Sequence, residues 1–298
     1  MGKQTFEEIM IAGGKHYILH NSRSSRFTIW CLSDLHLFNK GCELGRIKRD
    51  IQTIQDDPYS FYVGGGDYAE FIGITDKRFD PEGISDDVRI KDLGQLGRKQ
   101  IQAVRELFEP IKHKCIGLLY GNHEDSYMRH QEQQDLHGWL CTELGVPNFG
   151  YCVLFDLVFV KGATFKKPKL VRQTPAVEQS QITRQSFRIF VHHGAGYAQT
   201  PGGKLNKLIQ AMDYFDADIY FLNHVHDQMG KRMAELGANA DCSKIRERIK
   251  LGVISGSYLK TYTQDASVYG EKKMYRPTIL GAAKVYIKPD KREYQGAI

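Results

Sequence analysis

Five apolar runs of strand length each end in a short turn carrying Asp, Asn or His. The runs are 27–33, 59–63, 115–120, 186–191 and 218–222. Their turns hold Asp34 and His36, then Asp67, then Asn122 and His123, then His192 and His193, then His224 and His226. In open α/β sheets, binding sites lie beyond the carboxyl ends of the strands. A chain with this pattern is therefore confined to folds that bring five strand ends to one place. Each turn alone is ordinary: Gly-Gly-Gly-Asp, for instance, is usually a tight turn with a side-chain hydrogen bond to its own backbone. In sequence order, each at the end of a run, they point to one shared site.

Two further apolar runs, 151–160 and 250–256, complete the strand pattern, and helix-period stretches cover 43–55, 88–109, 125–144 and 203–213. Strands alternating with helices predict an α/β layered fold. No internal repeat, low-complexity tract or Pro/Gly/Ser linker divides residues 1–298, which predicts one domain. Two segments break the rhythm and read as insertions. Residues 68–87 are turn-rich and polar, and 161–185 hold six Lys/Arg against one Glu.

The longest apolar stretch, Tyr151 to Val160, contains Asp156 and is too short to cross a bilayer. The first ten residues have no apolar signal core, and Phe6 stands where myristoylation needs Ser or Thr. Six scattered cysteines, none in a C-x-x-C pair, argue against a disulfide framework or zinc ribbon. Reduced thiols in a cytoplasmic protein with no membrane association are the expectation.

Imidazole and carboxylate together suit manganese, iron, zinc, cobalt or nickel rather than calcium. Two divalent cations roughly 3.5–4 Å apart can clamp the attacking and leaving oxygens of an in-line displacement, with one carboxylate between them. Asp34-x-His36, Gly66-Asp67, Gly121-Asn122-His123-Glu124, a later His and His224-x-His226 together resemble the signature of calcineurin-like metallophosphoesterases. The resemblance covers about 33 to 226. It implies a four-layer αββα sandwich, two mixed β-sheets flanked by helices, with the site at the strand ends. It also implies two divalent metal ions, manganese foremost, and hydrolysis of a phosphomonoester or phosphodiester. Carried over residue by residue, Asp34, His36 and His226 hold one metal, Asn122, His192 and His224 hold the other, and Asp67 bridges them. His123 is the proton donor to the leaving group, paired with an acidic residue. Strand neighbours point to opposite sides, so one of His192 and His193 is a ligand. His192 is taken by its place relative to the apolar run, and His193, like Glu124, then supports the ligands or faces substrate. Asn223 stands where the family often has Gly, and Glu124 where it often has Asp.

The net charge of +6 suits an anionic substrate without demanding nucleic acid. A nuclease of the DNA-repair exonuclease type is the alternative enzyme, and a non-catalytic scaffold is an alternative of another class. The basic 161–185 segment leads into the strand that delivers His192, which predicts a place beside the metals. The stretch 257–276 mixes Tyr258, Tyr262, Tyr269 and Tyr275 with Lys260, Lys272, Lys273 and Arg276. Such tyrosines either stack bases or pack a peripheral sheet.

Overall fold

A computed structural model describes residues 12–297, except 23, 74–75, 77–78, 133–134, 176–181, 197, 240 and 265–268. Its twelve strands are β1 (Lys15–His20), β2 (Phe27–Leu32), β3 (Ser60–Gly64), β4 (Cys115–Leu118), β5 (Cys152–Gly162), β6 (Lys169–Val171), β7 (Ile182–His192), β8 (Ile219–Leu222), β9 (Gln228–Ala238), β10 (Ile245–Ser255), β11 (Lys284–Lys288) and β12 (Glu293–Ala297). They form a seven-stranded sheet, ordered β6-β1-β5-β7-β8-β10-β9, and a five-stranded sheet, ordered β12-β11-β2-β3-β4. The helices are α1 (Leu44–Asp56), α2 (Leu96–Phe108), α3 (Asn122–Tyr127), α4 (Leu136–Leu144), α5 (Pro201–Tyr214) and α6 (Tyr269–Lys272). The predicted helical stretch 125–144 is thus two helices, α3 and α4, with a π-helical turn at Met128–Glu132 after α3.

Strand β2 shows why the layers stack as they do. All six of its residues are buried, because both of its faces are covered. Phe27, Ile29 and Cys31 pack between the sheets against Phe155, Phe187, Ile189 and Val253. Trp30 and Leu32 point the other way, into a cluster with Ile47, Ile51 and Ile54 of α1 and Ile101, Val104 and Phe108 of α2. Those helical residues recur at three- and four-residue spacing, so each helix offers one apolar stripe. On the far side of the seven-stranded sheet, Phe190, Tyr220 and Ile254 pack against Leu208 and Met212 of α5. The order is helices, sheet, sheet, helix, which is the expected four-layer sandwich.

Strands β2, β3 and β4 run parallel, as do β7, β8 and β10. Each sheet therefore presents several carboxyl ends at one edge, and α/β chemistry collects there. The basic segment lies at the other edge. Strand β7 runs eleven residues from Ile182 to His192, so its start is roughly 33 Å from its end at about 3.3 Å per residue. Arg172 also donates to the Cys115 carbonyl, at the amino end of β4. The expectation that 161–185 lies beside the metals is corrected, because a strand carries its two ends to opposite edges of the sheet. No helix among the described residues is long and apolar enough to cross a membrane.

Candidate metal centre

The turns after β2, β3, β4, β7 and β8 meet in one cluster. Asp34, His36 and His226 form one group of potential ligands, and Asp67, His193 and His224 form a second. The His226 Nε2 lies 3.1 Å from Asp34 Oδ1 and 3.2 Å from His36 Nε2. In the second group the His193 Nε2 lies 3.3 Å from Asp67 Oδ2 and 3.1 Å from Asn122 Oδ1.

Hydrogen bonds on the far side of each ring decide what these nitrogens offer. His36 Nδ1 donates to Glu70 Oε2 at 3.2 Å, and His193 Nδ1 donates to the Gly65 carbonyl at 2.7 Å. With Nδ1 carrying the proton, the Nε2 of a neutral ring is a lone pair. The His193 lone pair then faces two oxygens, an arrangement that needs a second proton or a cation between them. Two ligands about 2.1 Å from one cation are about 3.0 Å apart at a right angle and about 3.4 Å apart at the tetrahedral angle. The four contacts above fall in that window. His224 Nδ1 is buried with no hydrogen-bond partner, and buried polar atoms rarely go unsatisfied. The donor set fits a pair of divalent cations of the nitrogen- and oxygen-liking kind.

The backbone carries the same imprint. Asp34, His36, Asp67, His224 and His226 all have left-handed φ values, of 52°, 49°, 52°, 72° and 46°. Non-glycine residues held in unusual backbone regions cost on the order of 1–3 kcal/mol each and cluster at functional sites. Gly66 (φ +93°) and Gly121 allow the turns to approach. A Cβ on Gly66 would lie 2.5 Å from the Gly121 nitrogen, and one on Gly121 would lie 2.1 Å from Asp67 Oδ1.

Electrostatics follow burial and charge. Burial opposes ionisation of Asp67, yet His193, His123 and His36 hold it well below the usual carboxylate range. Burial also opposes charge on His193, but Asp67 and Asp34 outweigh it and push its basicity up to about 9. His192 goes the other way, down to about 4, through burial and its neighbours His193 and His224.

His193, not His192, joins the cluster. His193 continues the side of β7 that carries Ile189 and Val191 between the sheets, while His192 lies with Phe190 on the opposite side. There its Nδ1 accepts the Gly194 amide at 2.7 Å and its ring meets Tyr151 edge-on. The expectation of His192 as ligand is corrected. Polar Ser186 and Arg188 alternate with apolar Phe187, Ile189 and Val191, which favours His193, but Phe190 blurs the alternation next to the pair.

His123 sits at the edge of the cluster. Its Nδ1 donates to the Glu70 carbonyl, its backbone amide donates to Asp67 Oδ1, and its ring meets His36 edge-on at 4.9 Å. Glu70, missed in the sequence, is the acidic residue of this corner. Burial opposes its charge, but His36 and His123 hold its carboxyl down at about 2. An acidic side chain three residues after Asp67 was the available signal. Ser33 was missed as well; it donates to Asp34 Oδ2. Asn223 donates to the His192 carbonyl and accepts from the Cys31 thiol, joining the two sheets.

Glu124 is a clip behind the ligands. It is buried, its Oε2 accepts the Asp67 and Gly121 amides, and its Oε1 accepts the Tyr68 amide. Burial and the Asp67 charge push its carboxyl up to about 7 against those amides. Glu124→Gln keeps two of the bonds and turns an NH₂ toward the Tyr68 amide. Leaving a buried donor unsatisfied costs on the order of 1–3 kcal/mol. Urea denaturation should show that loss, and an unchanged midpoint would exclude the clip.

No protein-family model and no curated protein sequence matches the chain. Among solved structures, the crystal structure of Chaetomium thermophilum Vps29 aligns over 91% of this chain and 95% of that chain, at 12% identity and a TM-score of 0.34. That is a distant likeness, too loose to carry an argument.

Proposed function

We propose that the chain is a metal-dependent hydrolase of phosphate esters, a metallophosphoesterase of the calcineurin-like kind, built as one domain. One observation carries this reading: ligand atoms from five turns converge at 3.1–3.3 Å spacing. Asp34, His36 and His226 would hold one cation, and Asn122, His193 and His224 the other, with Asp67 between them. Manganese is the first candidate. A pair of cations so held would polarise the phosphoryl oxygens and lower the cost of ionising a water.

The chain's own residues do the rest. Glu70 fixes the His36 tautomer, as carboxylates behind metal-binding histidines do. His193 and Asn122 set the second group's geometry from two different strands. The Glu70 carbonyl holds the Nδ1 proton of His123, so the other ring nitrogen is the one to carry a proton to the leaving oxygen. General acids of this kind contribute about 10²–10⁴-fold. All six cysteines are free, which supports a reducing compartment such as the cytoplasm.

Metal removal tests the reading. Chelation should abolish hydrolysis of bis-p-nitrophenyl phosphate and p-nitrophenyl phosphate, and manganese should restore it. The same panel should include cyclic nucleotides, single-stranded DNA and duplex DNA. Full activity in a preparation free of divalent metal would end the proposal.

A further inference from the structure

The metal cluster opens into a recess of about 640 Å³. Its walls come from segments that the chemistry above does not use. Phe79 and Ile84 belong to the 68–87 insertion, Leu259 and Met274 to the 257–280 stretch, and Phe38 to the turn after His36. Isolated bridges anchor these walls, Asn39 to Ile84 and Cys42 to Leu259. Lys272 joins the two segments, reaching Asp80 at 2.7 Å and Glu82 at 3.7 Å. Two peripheral segments, far apart in sequence, thus meet over one side of the site.

We propose that this recess holds the organic group of the substrate, which is a small phosphate ester bearing one aromatic or aliphatic group of about nucleoside size, not a polymer. The inference rests on the phosphoesterase reading and narrows it. Small-molecule sites run from about 300 to 1,000 Å³ and are mostly apolar with a few placed polar groups. The recess matches that size and is mostly apolar, with polar groups at the metal cluster and others, such as Gln100, Thr261 and Arg276, spaced around its wall. A polyanion would instead need a track of free cations. Three cations among the described residues line the recess: Lys204 is paired with Asp227 and Lys260 with Glu43, and Arg276 by itself makes no track. The described residues of the most basic segment, 161–175 and 182–185, lie at the opposite sheet edge. Two of the tyrosines of 257–276 are engaged within the protein. Tyr258 is buried with its hydroxyl on Asp50, and the Tyr262 hydroxyl donates to the Tyr275 carbonyl.

Phosphonates test this directly, because they present a phosphorus centre to the metals and are not hydrolysed. Binding of methyl-, phenyl- and naphthylmethylphosphonate to the manganese-loaded protein is measured by calorimetry. Each buried methylene equivalent is worth about fourfold in affinity, so naphthylmethylphosphonate should bind at least about 30-fold tighter than methylphosphonate. Met274 is 86% exposed, so Met274→Ser does not threaten the fold. In Phe79→Ser/Met274→Ser the ratio of the two affinities should fall about tenfold, and Met274→Ser alone should give part of that fall. A ratio near one in the wild type, or one that both variants leave unmoved, overturns the recess as the organic-group site. Tighter binding of a twelve-nucleotide single strand than of any phosphonate overturns it in favour of nucleic acid. Failure of the phosphoesterase reading looks different: the protein then retains no manganese and binds none of the phosphonates.

Discussion

Asp67→Asn leaves a folded protein that holds fewer than two metal ions and hydrolyses phosphate esters slower by about 10³-fold or more, the equivalent of several kcal/mol of lost charge stabilisation. Asp67 is 1% exposed, and it is the carboxylate toward which His193, His123 and His36 all direct positive charge. Asn keeps its shape. Its oxygen can still accept the His123 amide, so the backbone of the site keeps its tie. What disappears is the negative charge proposed to lie between two cations. Repulsion between those cations is then unscreened, and both sites weaken. Metal analysis of the purified variant beside its melting temperature separates loss of metal from loss of fold. Two tightly held ions with normal turnover would exclude Asp67 as the bridge.

His123→Gln should keep its metals and lose rate. The loss is on the order of 10²–10⁴-fold for an ester whose leaving alkoxide needs a proton. It should be small for nitrophenolate, which departs without help. His123 is held by the Glu70 carbonyl and by its own amide on Asp67. One alternative is written into the same corner, because His36, Glu70 and His123 also form a group that could hold a cation. Loss of metal in His123→Gln would point to that role, and equal rate losses on both esters would sink the proton-donor assignment.

Much of this was open to reading along the chain. Turn residues next to a buried strand are local: an apolar run must stop, and the polar residues that stop it sit at its end. Asp34, Asp67, Asn122 and His224 could therefore be located from one sequence. Strands whose faces are largely wet were harder. The β9–β10 hairpin, exposed along its outer half, shows no clean alternation. Strand β6 is three residues long and exists because it pairs with β1.

The order of the five turns, their residue types and the α/β layering were properties of the chain alone, because each depends on neighbours within a few residues. Which histidine of the pair faces the cluster was not. Phe187, Ile189 and Val191 meet the other sheet while Phe190 meets α5, so the alternation begun by Ser186 and Arg188 is blurred beside the pair until the layers are stacked. Glu70 likewise gains its role only when the turn after β3 is laid against His36 and His123. The recess belongs wholly to the tertiary structure. Its walls come from residues 38, 79–84, 259–261 and 270–278, and only the crossing of chain segments over one sheet edge brings them together.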